Sequence, residues 1–197
     1  YYPMAITLLL LLNSLSLFAT TTLSGPCGNQ LESLPIQQGG RVKPLRVHAR
    51  ESIKYLTGKS KAGSTAATTA YCQLSLQKTV SGIAPLKLSA RIDHTKLRAL
   101  FNLTNGNYTI SYENLIKQRP AIGAVARGEP KESSYSKALV KIFNKIQTYQ
   151  EITGGKNWYL YESGRWQSVE SVLSAKKISA AEELPALWKS SDQQYKK

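Results

Sequence analysis

Residues 57 to 60 read Thr57-Gly58-Lys59-Ser60, the ending of a phosphate-binding loop, so nucleotide chemistry is the first possibility to weigh. Such a loop also needs a glycine five residues ahead of Gly58, because a backbone without Cβ atoms can curl its amides around the phosphates. That position is Ile53. Leu45, Ala49, Ile53 and Leu56 instead recur every three or four residues, the stripe of an amphipathic helix with Gly58 as its stop. Lys59 then reads as a solvated cation near a helix end, where the helix dipole favours it.

Other chemistry finds less support. The sequence has no G-x-S-x-G and no H-E-x-x-H, and Asp93-His94 is a dyad with no placed nucleophile, so no catalytic residue is assigned. Asp93-His94 is expected to cap the helix that follows, since an aspartate accepts the first free amides. His48, among cations in the middle of a helix, is expected at the surface. Cys27 and Cys72 with His48 and His94 are too scattered for a metal centre, and no metal ligand is assigned. The two cysteines suit an oxidising compartment; they either close one disulfide or stand as a loop thiol and a core thiol. Aromatics and cations interleave in residues 156 to 161 and again at Arg165-Trp166, as in single-strand binders, but no RNA- or DNA-binding motif accompanies them and nucleic acid is not favoured as a partner. Asn102-Leu103-Thr104 and Asn107-Tyr108-Thr109 have the form of glycosylation sequons, which arise often by chance.

The elements that would position these residues follow from periodicity. After the helix ending at Gly58 comes a break over residues 59 to 64, then a second helix with Ala66, Ala67, Ala70, Tyr71 and Leu74. Leu86, Leu88, Ala90 and Ile92 alternate with polar residues and predict a half-exposed strand. A short helix follows Asp93, a short strand lies at residues 108 to 112, and a helical run from about Ser111 is restarted by Pro120. Residues 134 to 152 form the clearest helix, with Leu139, Ile142, Phe143, Ile146 and Tyr149 on an apolar face and Lys137, Lys141 and Lys145 on another. A strand at residues 158 to 161, a turn at Gly164 and a last helix opened by Ser179-x-x-Glu182 as a capping box complete the chain. The expected fold is α+β, mainly helical, with a few short strands.

The 197 residues carry 26 Lys and Arg against 12 Asp and Glu, a net charge of +14. Only Glu32 is charged before Arg41, so the body has all 26 cations and 11 of the anions. Such a surface favours anionic partners or lies solvated beside anionic lipid. Residues 4 to 25 are apolar and uncharged over the length a bilayer core requires, and read as a transmembrane or signal-anchor segment. The expected organisation is therefore an anchor at residues 1 to 25, an extended linker at 26 to 40, and a basic domain at 41 to 197 beyond the membrane. The chain begins Tyr1-Tyr2-Pro3 ahead of its only methionine, which suggests a piece of a longer protein.

The stretch from Leu34 through Gly39-Gly40-Arg41-Val42-Lys43-Pro44-Leu45, continued by Ala49-Arg50-Glu51 and Thr57-Gly58-Lys59-Ser60, resembles a segment of bacterial System II cytochrome c biogenesis proteins. These are the ResB/CcsA-type cytochrome c synthetases, especially the large fused forms, in which the segment opens a periplasmic domain. Looser similarity continues through Asp93-His94, Tyr112-Glu113 and Leu187-Trp188 to Tyr195. Arg46 departs from the pattern, standing where the family usually has an acidic residue.

The resemblance implies a membrane system that moves haem outward and attaches it to apocytochrome c. In that family, haem is held by histidines of the membrane helices and by a tryptophan-rich segment. Here Trp158, Trp166 and Trp188 are isolated along the chain and the apolar segment has no histidine, so the implied part is accessory and non-catalytic, with haem handled by the wider complex. The implied partners are the other membrane subunits or domains and apocytochrome c, and the implied location is the bacterial inner membrane with this domain on the periplasmic side. Arg41, Lys43 and Arg50 are the candidate partner-binding residues, for acidic groups of partner subunits or for haem propionates; the alternative is that Arg41 and Arg50 bond loop carbonyls and Glu51 within the domain. Gly39, Gly40, Pro44, Leu45, Ala49 and Gly58 are the candidate structural motif. A free secreted or periplasmic basic module that binds polyanions is the alternative.

Overall fold

The diglycine sets the first element. In the computed structural model, which describes residues 25–104 and 106–197, Gly39 and Gly40 both have positive φ (58° and 76°). They form the two-residue turn of a hairpin between β1 (Pro35–Gln38) and β2 (Arg41–Pro44), which pair antiparallel with Gln38 opposite Arg41. An added Cβ at Gly40 meets open space, so Gly40→Ala should be costly only through its backbone. We expect a loss of about 1–2 kcal/mol, read as a lower denaturant midpoint, with Gly40→Asn closer to wild type.

Pro44 ends β2 and caps α1 (Leu45–Thr57), with its own φ at −61° and ψ at 141°. It offers no side-chain cap, and the first amides of a helix have no partner within it. The chain ahead of β1 supplies them: Leu45 N–H donates to the Leu34 carbonyl at 2.9 Å and Arg46 N–H to that of Glu32 at 3.1 Å. Leu45, Ala49, Ile53 and Leu56 are fully buried, as their spacing predicts. Gly58, at φ 80°, stops the helix by donating to the Lys54 carbonyl at 2.8 Å.

The expected linker is therefore corrected. Residues 26 to 40 contain a 3-10 turn (Asn29–Leu31) and β1, and Cys27, Leu31, Leu34 and Ile36 belong to the core. A disulfide joins Cys27 to Cys72 on α2 (Ala67–Leu76), which packs along α1 through the small Ala70 and the buried Tyr71 and Leu74. Gly, Pro and Gln made the segment look solvated, but its buried apolar residues and the disulfide dock it on the core.

The remaining chain follows the expected order with local changes. β3 covers only Ser89–Arg91 and pairs with β4 (Thr109–Ser111), and just before it the Leu88 carbonyl accepts the Tyr112 amide at 3.1 Å. Between these strands lies α3 (Thr95–Leu100), capped at His94 without a side-chain bond. Asp93 does not cap it: its carboxylate accepts from Arg91 Nε at 2.8 Å. Ser111 opens α4 (Tyr112–Lys117), and the chain restarts at Pro120 as α5 (Arg119–Gly128).

The long α6 (Ser134–Thr153) lies against α1 to α5, with Ser133 accepting the Ser136 amide. β5 (Tyr159–Glu162) and β6 (Arg165–Ser168) turn at Ser163-Gly164 and extend the first hairpin into a four-stranded antiparallel sheet, in the order β2-β1-β5-β6. Then come α7 (Val169–Lys176), a 3-10 turn (Ala181–Glu183) and α8 (Leu184–Tyr195). The capping contact there is one residue later than expected, since Glu183 rather than Glu182 accepts the amides of Ser179 and Ala180.

The fold is thus mainly helical α+β with two small antiparallel sheets. The first described residues meet α8, where Trp188 Nε1 donates to the Pro26 carbonyl at 2.9 Å. Trp158 and Trp188, isolated in sequence, lie with ring centroids 5.8 Å apart, and Tyr71 adds an edge contact to Trp158 at the same distance. No helix among the described residues is long and apolar enough to cross a membrane, and the expected anchor at residues 1 to 25 lies outside them but for Gly25.

Candidate functional site: a basic cleft between two helices

Helix α1 turns its buried stripe to the core and leaves Arg46, Val47 and Arg50 outside. Arg46 and Arg50 are four residues apart and so project from one face. They line an open cleft of about 730 Å³ with Lys61 from the following turn and Ala67 and Thr68 from the start of α2. The start of α2 has no side-chain cap, and its amides add to the positive potential of three cations. Glu32 and Glu51 on the rim offset part of that charge.

The expected partner-binding residues are placed unequally. Arg50 lines the cleft. Lys43 is committed within the domain, its ammonium 2.6 Å from Glu51, across the junction of hairpin and helix. Arg41 is exposed next to the hairpin turn, outside the cleft wall. The structure thus does not gather the three into one cluster; it pairs Arg50 with Arg46, which sequence reasoning noted only as a departure from a family pattern. The i, i+4 spacing of the two arginines was the available signal.

Gly39, Gly40, Pro44, Leu45, Ala49 and Gly58 lie outside the cleft lining, in the hairpin and helix from which Arg46 and Arg50 project. The glycines close the hairpin, the proline directs the chain into α1, Leu45 and Ala49 bury the opposite face, and Gly58 releases the chain toward Lys61. This arrangement can hold a carboxylate- or phosphate-bearing partner by arginine forks. It contains no nucleophile and general base in contact.

A second polar group is deeper. His48, expected at the surface, is only 3% exposed, because a helix wrapped by α2 and the α6–β5 connection has no free face at that position. Its Nε2 lies 2.9 Å from the Tyr71 hydroxyl and 3.0 Å from Asn157 Oδ1, and the Tyr71 hydroxyl donates to the same Oδ1 at 3.1 Å. Burial, with the nearby Lys43 charge, lowers the His48 pKa to about 4. Burial also pushes the Tyr71 hydroxyl well above its usual value. A neutral imidazole closed off from solvent joins three segments and does not face the cleft.

Among the described residues, no three of His, Cys, Asp and Glu come together as a metal site. The aromatic and basic residues of β5 and β6 divide by strand alternation: Trp158 and Leu160 enter the core, while Tyr159 is exposed and Tyr161 packs edge-on to Trp166. Compared with known proteins, the chain matches no family model and no curated protein.

Proposed function

We propose that this chain is a non-catalytic, membrane-anchored periplasmic domain of a System II cytochrome c synthetase in the bacterial inner membrane, supporting haem delivery and its covalent attachment to apocytochrome c. The observation that carries the reading is that the block resembling that family, residues 34 to 60, forms one hairpin-and-helix unit and sets Arg50 beside Arg46 in an open basic cleft. The cleft docks acidic groups of the other membrane subunits or of the apocytochrome, and haem stays with the wider complex. The Cys27–Cys72 disulfide supports an oxidising compartment for the domain. The anchor is residues 1 to 25.

The test is charge reversal in cells that depend on the full gene. Arg46→Glu with Arg50→Glu should lower haem-stained cytochrome c at least tenfold, with normal amounts of the variant in the membrane fraction. Full cytochrome c levels would remove the cleft from this role. Arg41→Glu alone, outside the cleft, should leave maturation near normal.

The net charge of +14 favours one other reading, a secreted or periplasmic module for polyanions. It requires tight binding of a polyanion such as heparin that weakens steeply with salt, and it fails if binding is absent or indifferent to salt.

A further inference from the structure

The lysines of α6 do not form the solvated row that their spacing suggests. Lys137 and Lys141 are exposed, but Lys145 is 6% exposed. Its ammonium lies 3.4 Å from the Leu56 carbonyl, which already accepts the Tyr112 hydroxyl at 2.9 Å, and 6.0 Å from the Tyr55 ring centre. An ammonium has three donors, and one long shared bond leaves two of them without a protein partner. Burial, and after it the Lys141 charge, lowers its pKa below the ordinary lysine value, with Asp93 opposing.

Beside Lys145 is a small cavity of about 100 Å³ between the end of β3, the start of α3 and α6. Its charged walls are Arg91, Asp93, Lys141 and Lys145, with Leu97 and Ile142 as apolar lining. Three cations therefore face one carboxylate, and that carboxylate is already engaged by Arg91 at 2.8 Å. His94 lines the same cavity with a buried Nδ1 that has no hydrogen-bond partner. Its Nε2 is 3.4 Å from Ser134 Oγ, and its ring stacks on Tyr135, so the imidazole is held in position. Buried polar groups without partners are costly, and Lys145 and His94, which carry such groups, both line a space large enough for about three waters or one small oxyanion.

We propose that this cavity is a binding site for one small oxyanion, a carboxylate or a phosphate, held by Lys145, Lys141 and His94. The anion supplies the acceptors that the Lys145 ammonium lacks and balances the excess of cations. The volume excludes a nucleotide or a tetrapyrrole. The site is separate from the cleft on α1 and does not depend on the role proposed for it.

The experiment titrates the full chain in mild detergent with sodium phosphate and, separately, sodium acetate at constant ionic strength, following the His94 ring signals by NMR. Saturable shifts that chloride does not produce are expected, stronger for acetate if the natural source is a protein or metabolite carboxylate and for phosphate if it is inorganic phosphate. Lys141→Met, at an exposed position, should weaken binding at least tenfold, and Lys145→Met should abolish it. Arg46→Glu with Arg50→Glu should leave it unchanged. Shifts that match chloride, or saturation that persists unchanged in Lys141→Met, would overturn the site even if Lys145→Met fails to fold.

Discussion

Replacing Cys27 and Cys72 together by alanine should lower the stability of the domain by about 4 kcal/mol, the chain-entropy expectation for a loop of this length. The two residues are separated by 45 positions, and the loop they close contains the β1–β2 hairpin, α1 and half of α2. Cys72 is fully buried and Cys27 nearly so, which adds a packing loss to the entropic one. The cross-link also holds Pro26, whose carbonyl accepts Trp188 Nε1–H, so its loss should loosen α8 as well as the N-terminal segment. Denaturant midpoints decide the matter: reductant should bring the wild type most of the way down to the variant, short of it by the packing loss, and leave the variant where it is. A midpoint shift worth less than about 1 kcal/mol would mean that apolar docking of Leu31, Leu34 and Ile36 suffices without the cross-link.

The second large effect is one of pH. His48 binds its proton at about pH 4 in the folded protein, against about 6.5 in an unfolded chain. Between those values the unfolded state takes up more protons, so stability rises with pH across the window. The contribution is complete above about pH 6.5 and is lost as pH falls through 4. The loss between pH 7 and pH 4 is about 3 kcal/mol. The groups acting on the ring are Lys43, which opposes its protonation, and Glu51 and Asn157, which favour it, all outweighed by burial. His48→Gln keeps a side chain able to reach Tyr71 or Asn157 but does not titrate. Its unfolding free energy should therefore start lower at neutral pH and fall about 3 kcal/mol less than wild type on acidification. Parallel pH profiles for the two proteins would show that the buried imidazole is not the group responsible.

Much of the helical framework was legible because it depends on neighbours in the chain. The stripe Leu45, Ala49, Ile53 and Leu56 names both the helix and its buried face, Gly58 names its end, and Gly39-Gly40 names the turn. The half of the site carried on α1 was accessible in the same way, since Arg46 and Arg50 share a face by spacing alone. His48 was misplaced, and the burial of Lys145 was not foreseen, for a common reason. Each has a polar side chain at a position where its own helix would allow exposure, and each is enclosed by segments distant in sequence: α2 and Asn157 around His48, β3 and α3 around Lys145.

By itself, the sequence determined a mainly helical α+β body, a strongly basic surface, the helix from Leu45 to its stop at Gly58 and the absence of a glycine-lined phosphate loop. Local backbone preference and hydrophobic period act over a few residues and need no tertiary partner to be read. Only the tertiary structure decided that residues 26 to 40 contribute to the core, that Cys27 meets Cys72, that Lys43 is taken by Glu51 while Arg50 remains in the cleft, and that Lys145 borders a small cavity. Those outcomes depend on which surfaces cover one another. Burial and charge pairing between segments far apart in the chain are set by packing, and no periodicity along the chain encodes them.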